Sequence, residues 1–177
     1  AGGETRQQSV LNGLRGLAVH NPDIVLIHDA ARPGISDDVI ERVISALEKQ
    51  RGAIPTLPVV DTIKQTDQGN VISRTIPRES LHRAQTPQGF DFTTILEAHQ
   101  KFEGQELTDD AALLEMLGID VVCVEGTVNN DKITRRDDFD RAQDRAKSTE
   151  KKDCQMQQEE YRAGTGFDVH RFAPGDH

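Results

Sequence analysis

The residues Asp29-Ala30-Ala31-Arg32-Pro33 follow an apolar run and place an arginine three positions after a carboxylate. At a strand end such a carboxylate can hold a metal ion or a ribose hydroxyl, and the arginine can grip a phosphate through two nitrogens. A plain Asp–Arg ion pair closing a loop accounts for these residues equally well. Near the start, Gly2-Gly3-Glu4-Thr5-Arg6-Gln7-Gln8-Ser9 reads as a glycine turn leading into a helix. Backbone amides there, with Arg6 and Ser9, suit an anionic or ribose-bearing ligand; ordinary helix capping is the simpler reading of that segment alone. Three further segments bring hydroxyls and cations: Asp61-Thr62-Ile63-Lys64, the stretch from Arg78 to Gly89, and Asn130-Asp131-Lys132-Ile133-Thr134. In the second, Gln85-Thr86-Pro87-Gln88 is wasteful for a plain helix or strand. If Thr62, Arg78 and Lys132 meet at one sheet rim, they make a local positive site of the kind phosphoryl transfer needs. Near the end, Asp168-Val169-His170 puts two metal-capable side chains on one strand face, although a polar strand face is the commoner reason for Asp-x-His.

These groups need a scaffold, and the periodicities describe one. Val10, Leu14, Leu17 and Ala18 recur at helical spacing. Asp23 to Asp29 reads as a strand buried on both faces of a parallel sheet. Ser36, Asp37 and Asp38 supply a cap and acidic first turn for a helix whose face is Val39, Ile40, Val43, Ile44 and Leu47. Strands are expected at Ala53–Val60, Val71–Ile76 and Ile119–Val124. A helix capped by Thr108 carries Ala111, Leu114 and Leu117 and stops at Gly118. Alternating strands and helices favour a doubly wound α/β layer sandwich with a mostly parallel, Rossmann-like sheet. From Asp137 the texture becomes highly charged: first a terminal helix using Phe139 and Ala142 for packing, then a solvated linker over 147–163. A new strand-like segment begins at Gly164, and no internal repeat is visible.

Composition narrows the function. The chain has 177 residues, enough for one domain with a sizeable core but short of two domains of roughly 100–200 residues each. Its 21 Lys and Arg against 30 Asp and Glu give a net charge of −9, which argues against nucleic-acid binding. No tryptophan and 4% aromatic residues leave little for base stacking. No apolar run approaches the ~18 residues of a membrane span, and no secretory pattern opens the chain. Two cysteines, Cys123 and Cys154, fit a reducing cytoplasm.

Taken in order, Gly-Gly-x-x-Arg-x-x-Ser-Val, Val-Leu-Ile-His-Asp-Ala-Ala-Arg-Pro, Asp-Thr-Ile-Lys, Gln-Thr-Pro-Gln and Val-Glu-Gly followed by Asn-x-Lys-Ile-Thr resemble the 2-C-methyl-D-erythritol 4-phosphate cytidylyltransferases. The resemblance covers Gly2 to about Ala146 and implies a nucleotidyltransferase fold over 1–146. It also implies attack by the sugar-alcohol phosphate on the α-phosphorus of CTP, with release of pyrophosphate. By position, Asp29, Arg78 and Lys132 are the implied catalytic set, with Asp29 facing Mg2+ or the nucleotide ribose. Gly3, Arg6, Ser9, Arg32, Thr62 and Thr86 are the implied substrate-binding set, some acting in trans across a homodimer. The family's Gly-rich triphosphate loop, with its Arg and Lys, has no counterpart here, because residue 1 lies downstream of it. The piece is therefore expected to be inactive alone.

Gly164-Thr-Gly-Phe-Asp-Val-His-Arg-Phe is similar to the opening strand of 2-C-methyl-D-erythritol 2,4-cyclodiphosphate synthase, which implies a trimeric α+β cyclase domain beginning in 164–177. Asp168 and His170 would be ligands of Zn2+ or a similar divalent metal; the family's third ligand has no match. The implied second reaction cyclises the 2-phosphorylated CDP-methylerythritol and releases CMP. The order of the two resemblances matches a bifunctional fusion of the isoprenoid precursor route. Rival readings are a cytidylyltransferase for another sugar-alcohol phosphate, such as ribitol phosphate, and a non-catalytic oligomerisation module.

Overall fold

The computed structural model describes residues 2–105 and 107–153, with side chains to 144. The expected strand at 164, with Asp168 and His170, lies outside the described residues.

Helix α1 spans Arg6–Leu17; Thr5 caps it by accepting from the Gln8 amide, and Leu11 and Leu14 are buried. It begins ahead of the apolar periodicity because the cap, not the first apolar residue, starts the helix. Strand β1 is Ile24–Ile27. Helix α2, Asp37–Leu47, buries Val39 and Val43 completely. Ser36 stands at its N-cap with extended backbone, yet its hydroxyl makes no capping bond.

Strand β2 is Gly52–Pro58. An antiparallel hairpin follows, β3 (Ile63–Thr66) with β4 (Ile72–Ile76), forming a separate two-stranded sheet. Asp67 builds its tip by accepting from the Gly69 and Val71 amides, with Asn70 left-handed at φ 57°. Strands β5 (His82–Ala84) and β6 (Gln88–Asp91) flank a cis Thr86–Pro87 bond. Helices α3 (Phe92–Lys101) and α4 (Ala111–Met116) precede β7 (Val122–Glu125) and α5 (Arg136–Asp153).

The register fixes the sheet. β6 pairs with Gly52 and Ala53 at the start of β2, and β5 with Thr56–Pro58 at its end. β7 runs parallel to Ala53–Thr56 and therefore takes the opposite edge of β2. β1 pairs antiparallel with β6, so β1, β2 and β7 share one direction while β5 and β6 run against it. Most strands are thus co-directional, as expected. The reversed β6 between β1 and β2 was not foreshadowed by the apolar pattern. β1 is also less buried than a strand covered on both faces: Ile24 is exposed and Val25, Leu26 and Ile27 are half-buried. Among the described residues, β1 has a partner on one edge alone.

Both faces of the sheet are covered, as the α/β reading requires. A side chain on Gly89 would strike Val43 and Leu47 of α2, so glycine lets that helix approach closely. The next residue, Phe90, points to the other face. There it joins Leu14, Ile54, Ile95, Ala98 and Leu114 in a core shared by α1, α3 and α4.

Further expectations need correction. α4 starts at Ala111, with Asp110 rather than Thr108 at its N-cap. Asp109 supplies the capping acceptor, taking the Ala112 amide at 3.2 Å. Phe139 is not a packing residue: it is 54% exposed, and no residue of α5 belongs to the described core. α5 is instead secured at its start by Asp138, which accepts from the Thr134 and Arg135 amides. The helix continues through Asp153, so the segment read as a linker begins as helix.

Candidate active site

Asp29 leaves the end of β1, and three cations surround its carboxylate. Lys132 Nζ lies 3.1 Å from Oδ2, Arg32 Nε 3.6 Å from Oδ2, and Arg6 Nε 3.7 Å from Oδ1. Burial pushes the Asp29 carboxyl up, but Lys132 above all, then Arg6 and Arg32, hold it below its ordinary 3.8. The Asp29 side chain is 16% exposed and that of Lys132 46%, so solvent reaches both. A local positive patch thus forms within an acidic chain, though not from the expected trio of Thr62, Arg78 and Lys132. It gathers Arg6, Asp29, Arg32 and Lys132 from three separate segments.

Thr86 and Asn130 hold these segments in place. Thr86 Oγ1 accepts the Asp29 amide at 3.0 Å and contacts His28 Nδ1 at 3.0 Å. Its carbonyl accepts from Asn130 Nδ2 at 2.6 Å. Arg32 Nη1 donates to the Asn130 carbonyl at 2.7 Å, tying the Asp29 loop to the Lys132 loop. The Ile133 amide, next to Lys132, donates to the Ala31 carbonyl at 2.8 Å. Buried Gln85 clamps the same turn, donating to the Thr127 carbonyl and accepting the Thr127 amide. The two glutamines that looked wasteful are both structural: Gln88 accepts the Asp110 and Ala111 amides and donates to Asp109.

The first helix brings Arg6 to the site. Its Nη2 donates to Asp110 Oδ2 at 2.6 Å, and Asp110 is itself bonded to His99. Burial disfavours the Arg6 charge, but Asp110 first, then Asp29 and Asp109, outweigh it and raise the guanidinium pKa above its ordinary value. Ser9 shapes the turn before α1: its hydroxyl accepts the Gly3 amide at 2.9 Å and donates to the Thr5 carbonyl. A side chain on Gly3 would run into Gln8 at 2.6 Å, so glycine is required for this close approach. Neither Asp110 nor His99 stands out in the sequence. The signal was present, however: Asp109-Asp110 supplies two acids where one helix cap is needed.

Thr62 and Arg78 do not join this cluster within one chain. Thr62 is exposed just before β3, and Arg78 Nη1 donates to the Val60 carbonyl at the base of the β3–β4 arm. The expected meeting of Thr62, Arg78 and Lys132 on one rim is therefore absent among the described contacts. The reason is topological: the arm is its own two-stranded sheet. As for metals, the described residues contain no group of three or more His, Cys, Asp or Glu. Asp29 is a single carboxylate, too little for an all-protein metal cage. No described helix is long and apolar enough to cross a membrane.

A sheet covered on both faces, with cations gathered round a strand-end carboxylate, defines a nucleotidyltransferase-like α/β protein. The family model for 2-C-methyl-D-erythritol 4-phosphate cytidylyltransferase matches residues 1–147, and the chain belongs to that family. The bifunctional enzyme IspD/IspF of Bradyrhizobium diazoefficiens is 49% identical over 179 residues, covering 99% of this chain and 43% of that protein. The protein so named in Rhodospirillum rubrum is 47% identical over 175 residues, with 99% and 43% covered. The chain thus spans less than half the length of these relatives. The crystal structure of the Thermus thermophilus 2-C-methyl-D-erythritol 4-phosphate cytidylyltransferase is similar, with TM-score 0.75 and 38% identity, over 82% of this chain and 71% of that one. The bifunctional IspDF of Campylobacter jejuni matches with TM-score 0.66 and 29% identity, over 78% and 35%.

Proposed function

We propose that the intact protein transfers CMP from CTP to 2-C-methyl-D-erythritol 4-phosphate and releases pyrophosphate at the Asp29 cluster. The observation that carries this reading is the Asp29–Lys132 pair flanked by Arg6 and Arg32. Attack of one phosphate on another brings negative charges together, so the protein must position them and neutralise the charge that builds up. Lys132, 46% exposed, can reach out to an α-phosphoryl oxygen while Asp29 fixes its direction. Arg32, its Nε 3.6 Å from Asp29 and its Nη1 on the Asn130 carbonyl, fixes a positive charge beside the place the incoming phosphate would take. No covalent intermediate is needed. Asp29 would hold Mg2+ together with the triphosphate, and that ion supplies charge neutralisation for the departing pyrophosphate. Ser9 and Gly3 support the nucleotide end of the site by shaping the turn before α1.

Thr62 and Arg78 act in trans in this reading. Their arm is a separate, largely exposed hairpin with Val60, Val71 and Ile72 at 70%, 64% and 59% exposure. In a homodimer the arm of one protomer would carry Thr62 and Arg78 to the partner's sugar phosphate. The 164–177 segment would open a cyclase domain, with Asp168 and His170 as ligands of Zn2+ or a similar divalent ion. Both reactions take soluble substrates and belong in the cytoplasm.

The test is pyrophosphate release by the full-length protein supplied with CTP, Mg2+ and methylerythritol phosphate. The Lys132→Ala variant should lose at least about 100-fold in kcat, the usual cost of removing one charge-stabilising group. Unchanged turnover in that variant would remove Lys132 from the mechanism.

A further inference from the structure

We propose that His99, fully buried on α3, is a positioning residue for Asp29, acting through Asp110 and Arg6; the proposal rests on the cytidylyl-transfer reading of the Asp29 site. His99 is 0% exposed and sits one helical turn from fully buried Ile95. Its Nε2 lies 3.1 Å from Asp110 Oδ1. Ionised Asp110 can only accept, so Nε2 carries the proton. Nδ1 is buried without a partner. An imidazole with an unpaired buried nitrogen is a poor core residue, and a leucine there avoids that cost. What the histidine adds is the bond to Asp110.

Asp110 is fixed from three sides. His99 holds Oδ1, Arg6 Nη2 holds Oδ2 at 2.6 Å, and Gln88 Oε1 accepts the Asp110 amide at 3.0 Å. Burial pushes the Asp110 carboxyl up, but the His99 bond and the Arg6 charge more than offset this, so it lies below its ordinary 3.8. The guanidinium of Arg6 is a rigid plane, so anchoring its outer nitrogen orients the whole group. Its Nε is thereby held 3.7 Å from Asp29 Oδ1, beyond hydrogen-bond range, while Asp110 takes the short contact. Asp110 thus keeps Arg6 from closing on Oδ1 of Asp29 and turning the carboxylate away from Lys132, which contacts Oδ2. Loss of the His99 bond frees the Asp110 carboxylate to turn, and Arg6 can then close on Asp29.

The experiment compares His99→Leu, His99→Gln and Asp110→Asn in the full-length enzyme, each with Arg6 intact and in an Arg6→Ala background. Thermal unfolding is followed beside kcat/KM. With Arg6 intact, His99→Leu and Asp110→Asn should lose about 10- to 100-fold in kcat/KM, the scale of a small misplacement transmitted from a distance. His99→Gln, which keeps a donor on a side chain of similar reach, should recover most of that loss. In the Arg6→Ala background the same changes should alter kcat/KM by less than about twofold, since residues acting through one another are not additive. Equal losses in both backgrounds, or a folded His99→Leu enzyme with unchanged kcat/KM, would overturn the proposal. The Arg6 Nε–Hε signal in 15N-arginine-labelled protein gives a readout independent of turnover. It should shift and broaden in His99→Leu if the tether is real, and an unaltered signal would overturn the proposal. No CTP turnover by the unsubstituted enzyme, with that shift still present in His99→Leu, would refute the cytidylyl-transfer reading and leave the tether standing.

Discussion

Lys132 Nζ and Asp29 Oδ2 meet at 3.1 Å although one follows the last strand of the sheet and the other leaves the first. Neither loop holds that geometry unaided. Arg32 bridges them through the Asn130 carbonyl, and Asn130 bridges back through the Thr86 carbonyl. The site is therefore as firm as the Asn130 turn.

Replacing Asn130 by alanine should cost about 1–3 kcal/mol of stability, the usual price of unsatisfying a buried carbonyl partner. Asn130 is 0% exposed, and its Nδ2 is the donor to Thr86. Urea unfolding of the full-length variant would measure the loss, and an unchanged midpoint would mean that water replaces the bond.

Gly34→Ala tests the same turn from the opposite side. A Cβ at Gly34 would collide with the Asn129 carbonyl oxygen, which is backbone and cannot turn away. The chain at 129–132 must shift, carrying Lys132 with it. We expect at least a tenfold or so fall in kcat, since small misplacements are costly in positioned catalysis. Full activity in Gly34→Ala would show that Lys132 tolerates displacement.

Stability should fall on acidification. Asp29 and Asp110 both lie below 3.8 when folded, so the unfolded chain takes up their protons first as pH drops. Their contribution is fully present above the unfolded value and is lost as pH falls through the folded ones. Urea midpoints measured from about pH 6 down to about pH 3 should decline mainly below pH 4, and Asp110→Asn should flatten the decline. A decline equally steep in Asp110→Asn would assign the acid sensitivity elsewhere.

Trans action by the arm predicts complementation. Co-expressed Lys132→Ala and Arg78→Ala chains, each inactive as a homodimer, should regain up to about a quarter of the sites through mixed dimers. Failure to regain activity, with mixed dimers demonstrated by mass, would place Arg78 outside the partner's site.

Much of this was legible in residue order. Val39 and Val43 marked the buried face of α2, and the Asp29-to-Arg32 spacing marked the centre of the site. The reversed β6 was not, because Gln88 and Gly89 carry no apolar alternation and their pairing is set by distant Leu26 and Ile27. His99 was equally hidden, since its partner comes from another helix and a lone histidine has no local signature. Thr62 and Arg78 were placed on the rim because their types suit phosphate. Their position instead follows the hairpin, which local sequence does not orient.

The measurement bearing most directly on the central claim is pyrophosphate release from CTP by the full-length protein, with methylerythritol phosphate and ribitol phosphate offered in parallel. The site as read predicts a kcat/KM for methylerythritol phosphate at least about tenfold above that for ribitol phosphate. A preference for ribitol phosphate, or no release with either, would contradict it.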